Sequence, residues 1–303
     1  MQGGGDTLHQ INASGSTFDI FRRGYERELS EKTGRNVIIY YSGWLQKPPQ
    51  YGPALAINND DKNGFMTAVH ELDRSKGLDL VLHTPGGDVA ATESLIDYLR
   101  KMFDNDMRAV IPQMAMSGGT MLACACKEIV MGKQSSLGPI DPQLNGQIPA
   151  VGVIDEFNRA MNEIKHDKDK IPVWQPILAK YTPTLIGQCE RAIAWSKEIC
   201  TNSLKSGMFR GESDSDVTVK RIVDGPTDND QTRSHNRQFS ADDCKKMNLK
   251  VTMLEDDHEF QDLVLSVHHS TLLTFNSTAA IKIIENQAGK AHIVESNPPA
   301  PRQ

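Results

Sequence analysis

The sequence predicts an α/β fold built on a parallel β-sheet. Short apolar runs that are typical of buried strands alternate with longer segments whose apolar residues recur every three or four positions, as in amphipathic helices. The predicted strands cover 36–41, 78–83, 107–112 and 128–132. Because strands and helices alternate at this pitch, we expect parallel strands joined by helical crossovers.

The first predicted helix lies near the N-terminus. Residues 1–34 predict an extension and a helix: 1–12 are glycine-bearing and predicted to be disordered, and 18–33 are amphipathic. Gly34 ends the helix, as a C-terminal glycine should. Further predicted helices cover about 60–72, 90–103, 120–126, 150–165 and 182–204.

These elements divide the chain into a core at 35–205 and a C-terminal α+β region at 206–294. The boundary falls in the polar, glycine-bearing stretch 206–215. Within the C-terminal region, 259–286 predicts a helix, a turn-like interruption and a closing helix. The last residues, 295–303, are proline-rich and are predicted to form a disordered tail.

Composition narrows the function classes. The chain has 303 residues and a formal net charge of −6, which argues against nucleic acid as a partner. Five cysteines without ligand spacing predict buried free thiols and no metal site. No glycine fingerprint of a dinucleotide site follows a strand, so no cofactor is expected. No apolar run approaches eighteen residues, and we expect a cytoplasmic protein without a transmembrane segment.

Two glycine-bearing turns contain the candidate catalytic residues. A predicted strand delivers the chain to Gly86 and Gly87, and the next strand delivers it to Ser117 and Gly118 at a helix start. Glycines let backbone N–H groups converge on one oxygen, and a helix N-terminus favours developing negative charge. Ser117 is therefore the candidate nucleophile, with an oxyanion hole from Gly86 or Gly87 and from Gly118.

Several motifs resemble one protein family. They are His83–Asp88 (HTPGGD), Met116–Ala123 (MSGGTMLA), Leu137–Gln143 (LGPIDPQ), Tyr40–Trp44 (YYSGW), Trp174–Pro176 (WQP) and Lys282–Asn286 (KIIEN). Over about 35–289 the chain resembles the serine dehydrogenase proteinase family, which is similar to signal peptide peptidase A and the Clp protease. The resemblance implies the β/α superhelical spiral of Clp proteases and crotonases, serine endopeptidase activity on peptides or proteins, and a homo-oligomer.

The general base is harder to assign. The loop 138–142 holds no histidine where the Clp protease has one, whereas signal peptide peptidase A uses a Ser–Lys dyad. Lys180 follows Ser117 at about the spacing of the dyad lysine. The apolar residues Trp174, Ile177 and Leu178 precede it. Desolvation by such neighbours favours a neutral amine. Lys180 is thus the candidate base, and Lys165, Lys168 and Lys170 lie in a charged, solvated run.

Other partners and other functions stay open. Asp141 is the second candidate partner of Ser117, although an aspartate between two prolines often only fixes a loop. His83 and His235 come next. A catalytically silent peptide-binding or assembly module would keep the glycine turns without a base. A crotonase-like acyl-CoA enzyme would use the backbone amides but would not need Ser117.

Overall fold

Strands and helices alternate along the computed structural model, which describes residues 16–144, 148–224 and 237–296. The strands are β1 (Asn36–Ser42), β2 (Leu78–His83), β3 (Met107–Ile111), β4 (Met114–Ala115), β5 (Glu128–Met131), β6 (Ser136–Leu137), β7 (Gln143–Leu144), β8 (Ile148–Pro149), β9 (Phe239–Ser240), β10 (Val251–Met253), β11 (Ala280–Asn286) and β12 (Ala291–Glu295). The helices are α1 (Thr17–Thr33), α2 (Gly52–Leu55), α3 (Asp61–Val69), α4 (Val89–Phe103), α5 (Gly118–Cys124), α6 (Ala150–His166), α7 (Ile171–Leu178), α8 (Leu185–Ser206), α9 (Ser215–Asp224), α10 (Ala241–Lys246) and α11 (His258–Ser277).

The main sheet has seven strands in the order β10-β5-β3-β2-β1-β11-β12. The five strands from β10 to β1 are parallel, whereas β11 is antiparallel to β1 and to β12. This confirms the predicted α/β fold with a mostly parallel sheet. Parallel strands need crossover connections, and α3, α4 and α5 lie between β1, β2, β3 and β5 along the chain.

The predicted closing helix is wrong, because residues 280–286 form strand β11. All seven residues of β11 are buried, and their register pairs Ile284 with Tyr40 of β1. In isolation the segment has helix-compatible apolar spacing, and its strand state comes from pairing with a distant part of the chain. Residues of the predicted C-terminal region thus complete the sheet of the predicted core.

Apolar side chains cover both faces of the sheet. On one face, Leu80 and Leu82 of β2 belong to a large core with α3, α4, α5 and α8. On the other face, Val81 belongs to a second core formed with α1 and α11. Successive side chains of a strand point to opposite faces, so the neighbours of a residue on β2 follow from its position.

A third, smaller apolar cluster lies apart from the sheet. It contains Ala150 and Val153 of α6 with Leu185 and Cys189 of α8. Helix α6 and the first half of α8 share this small core, and Trp174 of α7 bonds to α6. We call these three helices the arm. A short sheet of β4, β6 and β9 lies next to the turn that carries Ser117.

Three further expectations concern the described residues. All five cysteines are free and buried, as predicted. Within 16–144, 148–224 and 237–296, no helix is both long enough and apolar enough to cross a bilayer. The stretches predicted to be disordered at 1–12 and at 297–303, the latter being most of the predicted tail, lie outside the described residues.

Candidate active site

Ser117 stands at the N-cap of α5 in a left-handed backbone conformation. Its φ is 50° and its ψ is −113°, a region that side-chained residues rarely adopt. Short strands hold the turn: the Met116 N–H donates to the Thr84 carbonyl (3.0 Å), and the Thr84 N–H donates to the Met114 carbonyl (3.2 Å). Backbone strain of this kind occurs at functional sites when the surroundings enforce it.

Gly86 packs directly against Ser117. Its φ is 88°, and a Cβ built on it would lie 2.7 Å from the Ser117 Cβ and 2.8 Å from the Gly118 nitrogen. No side chain fits in that space, so only glycine allows the two turns to approach this closely. The structure therefore brings together the two sequence motifs that carry the predicted chemistry.

Gly87 is held from its other side by Ile57. The Ile57 N–H donates to the Gly86 carbonyl (2.8 Å), and the Asp88 N–H donates to the Ile57 carbonyl (2.9 Å). The bonds of this parallel bridge use the Gly86 carbonyl and the Asp88 N–H, which flank Gly87. The N–H of Gly87 itself therefore points away from Ile57. The side chain of Asp88 caps α4 by accepting from the Ala91 N–H (2.7 Å).

Two backbone N–H groups remain for an incoming oxygen. Among the residues that the structure describes, neither the Gly87 nor the Gly118 N–H donates a hydrogen bond. The Gly86 N–H lies 3.2 Å from the Thr84 hydroxyl oxygen and is therefore engaged. A Cβ built on Gly118 would lie 3.5 Å from the Gly87 nitrogen, so the two unused groups are neighbours. Gly87 fits the predicted oxyanion hole better than Gly86.

The loop that carries Asp141 is fastened to the Ser117 turn. The Thr120 hydroxyl lies 2.9 Å from the Gly138 carbonyl oxygen and 3.0 Å from the Ala115 carbonyl oxygen. A Cβ on Gly138 would lie 2.6 Å from the Met116 Cε. Asp141 follows three residues later and is buried. The structure thus keeps Asp141 on a segment in contact with the residue before Ser117.

Lys180 lies on the arm in different surroundings from those expected. Its side chain is exposed in the turn after α7. Trp174 is buried, but its indole N–H donates to Glu163 of α6 (3.0 Å), and the ring packs under Arg159. Within the residues that the structure describes, Lys180 thus lacks the apolar surroundings that the sequence led us to expect.

His83 points away from the Ser117 side of the sheet. It is buried on the face of Val81, with ring centroids 4.2 Å from Trp44 and 5.2 Å from His268. Burial, with a smaller effect from His268, lowers the pKa of His83 to about 3. A packed, neutral imidazole on that face is a structural group. The other predicted histidine, His235, lies outside the described residues.

Comparison with known proteins now decides the family. The sequence profile of the ClpP-like SDH-type serine proteinases matches residues 22–252, which is more than half of the chain. The chain belongs to this family. The match spans β1 to β5, the glycine turns, Ser117 and the arm. The resemblance seen in the motifs is thereby confirmed.

Two relatives come from Methanocaldococcus jannaschii. The uncharacterized protein MJ0137 is 39% identical over 132 residues, covering 42% of this chain and 44% of that protein. The uncharacterized protein MJ1495 is 26% identical over 195 residues, covering 64% of this chain and 59% of that protein. The chain thus spans about half of the length of these relatives.

Sequence reasoning missed two residues next to the glycine turns. Ile57, in an unremarkable stretch between α2 and α3, braces Gly87 through its main chain. Lys282 is fully buried in β11 and donates to the Ala56 carbonyl (2.8 Å). In the sequence Lys282 is visible as the first residue of the Lys282–Asn286 motif, but the pattern predicts a helix there and assigns this lysine no contact.

Proposed function

We propose that this chain is a serine endopeptidase that cleaves peptide bonds through an acyl-enzyme on Ser117. The observation that carries the proposal is the left-handed Ser117 packed against Gly86, with the unused N–H groups of Gly87 and Gly118 beside it. Membership of a family of serine proteinases supports the same reaction class. Catalysis of this kind needs a nucleophile and fixed donors for the developing oxyanion.

The reaction begins with attack of the Ser117 hydroxyl oxygen on the substrate carbonyl carbon. The hydroxyl proton passes to the general base, and the carbonyl oxygen becomes an oxyanion held by the Gly87 and Gly118 N–H groups. Collapse of this intermediate breaks the C–N bond, and the leaving amine takes the proton. Water then attacks the ester by the same route and releases the second product.

Lys180 is the proposed base, in an assembled form of the protein. Its exposure in the single chain means that another copy has to remove water from it. Asp141, buried on the loop fastened to Met116, is the alternative partner of Ser117.

Substitutions separate the two candidate bases. We expect Lys180→Arg to lower kcat as much as Lys180→Ala, because a guanidinium keeps its proton. Wild-type kcat should rise with pH toward alkaline values, since the neutral amine is the active form. Full activity of Lys180→Arg, together with a large loss in Asp141→Asn, would move the role to Asp141.

A second candidate function is a silent peptide-binding or assembly module. The exposure of Lys180 favours it, because such a module keeps the glycine turns and needs no desolvated base. Hydrolysis of an unstructured protein such as casein distinguishes the two functions.

The test compares hydrolysis by the wild type with hydrolysis by Ser117→Ala. We expect the wild type to cleave and Ser117→Ala to lose activity by at least about 10³-fold with the fold intact. Ser136→Ala is the matched control, since Ser136 is half-buried nearby on β6 and should keep full activity. Equal turnover by Ser117→Ala would exclude an acyl-enzyme on Ser117. No turnover by the wild type would favour the silent module.

A further inference from the structure

A buried ion pair lies behind the glycine turns. The Lys282 ammonium of β11 contacts the Asp61 carboxylate of α3 at 2.7 Å, and the two side chains are 1% and 2% exposed. Burial lowers the pKa of Lys282, and the neighbouring Asp61 charge opposes that shift. Pairs buried to this extent cost desolvation energy and are often replaceable by apolar residues, so stability alone does not explain this one.

The remaining hydrogen bonds of the pair converge on one main-chain segment. Lys282 Nζ donates to the Ala56 carbonyl (2.8 Å), and Asp61 Oδ2 accepts from the Asn58 N–H (3.0 Å). The Tyr40 hydroxyl donates to the same Oδ2 (2.7 Å) and fixes the carboxylate. The pair therefore holds the chain on both sides of Ile57.

Ile57 transmits this position to the glycine turns. Its N–H and carbonyl groups bond to Gly86 and Asp88 on either side of Gly87. A Cβ built on Gly87 would lie only 2.3 Å from the Ile57 nitrogen and oxygen, so the main chains at Gly87 and Ile57 are in direct contact. The Ile57 side chain also reaches the other turn, since a Cβ on Gly118 would lie 3.1 Å from its Cδ1.

We propose that Lys282 and Asp61 are positioning residues for the oxyanion hole: they fix Ala56 and Asn58, and thereby the Ile57 bridge that aims the Gly87 N–H. The inference rests on the proposed peptidase function. It assigns a role to the Lys282–Asn286 motif, which the proposed chemistry does not use directly. A hole donor that shifts by about 1 Å loses its benefit in the transition state while ground-state binding changes little.

The experiment measures peptide hydrolysis by Lys282→Met/Asp61→Asn, which removes both charges and leaves no unpaired buried ion. We divide the hydrolysis rate by the concentration of serine that a fluorophosphonate labels when the labelling has gone to completion. Unfolded molecules are not labelled and therefore do not lower the resulting kcat. We expect kcat to fall at least about tenfold while KM stays within about threefold, the pattern of an interaction made in the transition state.

Arg22→Met/Glu285→Gln is the matched control. Arg22 and Glu285 form a buried ion pair that involves the opposite face of β11, and among the described residues none of their hydrogen-bond or ion-pair partners lies at 56–58. Arg22 also contacts Asp19 and Glu26, and Glu285 also contacts Arg23, so this control perturbs a larger buried network than the test variant does. We expect it to lower the melting temperature and to leave kcat per serine unchanged. An unchanged kcat in Lys282→Met/Asp61→Asn, or an equal fall in both double variants, would overturn the proposal.

Two further variants complete the design. If Lys282→Met/Asp61→Asn does not fold, Asp61→Asn alone keeps the side-chain volume and should show the same fall in kcat at constant KM; an unchanged kcat there also overturns the proposal. Ser117→Ala, with hydrolysis expressed per mole of folded protein, tests the proposed function separately. Loss of activity in Ser117→Ala with full activity in the pair variants contradicts only the positioning role, and full activity in Ser117→Ala contradicts both.

Discussion

Ser117 and Gly86 act as one unit at the scale of single residues. The serine adopts φ 50°, which is unfavourable for a side-chained residue, and the glycine adopts φ 88°. Neither conformation is required by its own strand or helix. Both follow from the close approach of two turns, each fixed by main-chain bonds to Thr84 or Ile57. The strained serine is thus maintained by its neighbours, as expected for a nucleophile that must stay in one orientation.

Gly86→Ala tests this unit directly. The added methyl would lie 2.6 Å from the Met116 carbonyl oxygen and 2.7 Å from the Ser117 Cβ, so the turns must separate. We expect kcat to fall by about 10²-fold or more, because a displaced oxyanion donor costs that much, and the protein to be destabilised.

Gly24→Ala is the control for Gly86→Ala. A Cβ at Gly24 meets no atom within 4 Å in helix α1. Alanine there should raise stability by up to about 1 kcal/mol and leave kcat unchanged. Wild-type activity in Gly86→Ala would contradict the close packing of the two turns.

At the scale of elements, the local sequence pattern predicts the parallel strands of the main sheet but not strand β11. The strands β1, β2, β3 and β5 are short apolar runs between amphipathic helices, and periodicity finds them to within a residue or two. β11 differs from its predicted helix. One of its neighbours, β12, is close in sequence, but the other, β1, is 240 or more positions away, and that pairing cannot be seen in the local pattern.

In the candidate site, too, some residues can be predicted from the sequence and others cannot. Gly86, Gly87, Ser117 and Gly118 are candidates from the residues alone, since their conformational freedom or chemistry is specific to their type. Ile57 was missed because it acts through its main chain. The expected surroundings of Lys180 also differ, since Trp174 packs on α6 instead, a tertiary contact that sequence proximity does not reveal.

Two buried histidines, His83 of β2 and His268 of α11, should make the stability of the protein depend on pH. Burial lowers the pKa of His83 to about 3 and that of His268 to about 4. Both values lie below the usual 6.5, so the unfolded chain binds more protons as pH falls below about 6.5. We expect the unfolding free energy to be level above that pH and to drop between pH 6.5 and 4, by at most about 1.4 kcal/mol per pH unit for each histidine.

Urea unfolding of variants isolates the histidine contribution. His83→Phe should flatten the slope between pH 6.5 and 4.5, because the ring that must lose its proton on folding is gone. His166→Gln is the control, since His166 is exposed at the end of α6 and should leave the slope unchanged. An identical slope in His83→Phe would show that the imidazole is accessible to protons in the native state.

At the scale of the whole molecule, the arm formed by α6, α7 and α8 presents an apolar surface to solvent. Met161 of α6 is 68% exposed, and Val173 and Ile171 of α7, the helix that precedes Lys180, are 57% and 43% exposed. Apolar side chains exposed to this extent lose contact with water when a second copy covers them. Covering them with a second copy would also remove water from the neighbourhood of Lys180, which links assembly to the proposed base.

The oligomer prediction follows from this surface. Light scattering at micromolar concentration should give a multiple of the 33.6 kDa chain mass. Val173→Asp should shift the mass toward one chain and lower kcat. Leu273→Asp changes an equally exposed apolar residue on α11 and should leave the mass unchanged. A wild-type mass of about 34 kDa would contradict assembly through the arm.

The central claim is that Ser117 is an activated nucleophile beside a preformed oxyanion hole, and covalent labelling tests it most directly. A fluorophosphonate reacts with a serine only where the hydroxyl is activated and the developing charge is stabilised. Intact mass measurement followed by peptide mapping of the native protein should find one label per chain, on Ser117, and none in Ser117→Ala or in heat-unfolded protein. No label on the native wild type, or a label on another serine that persists in Ser117→Ala, would contradict the account.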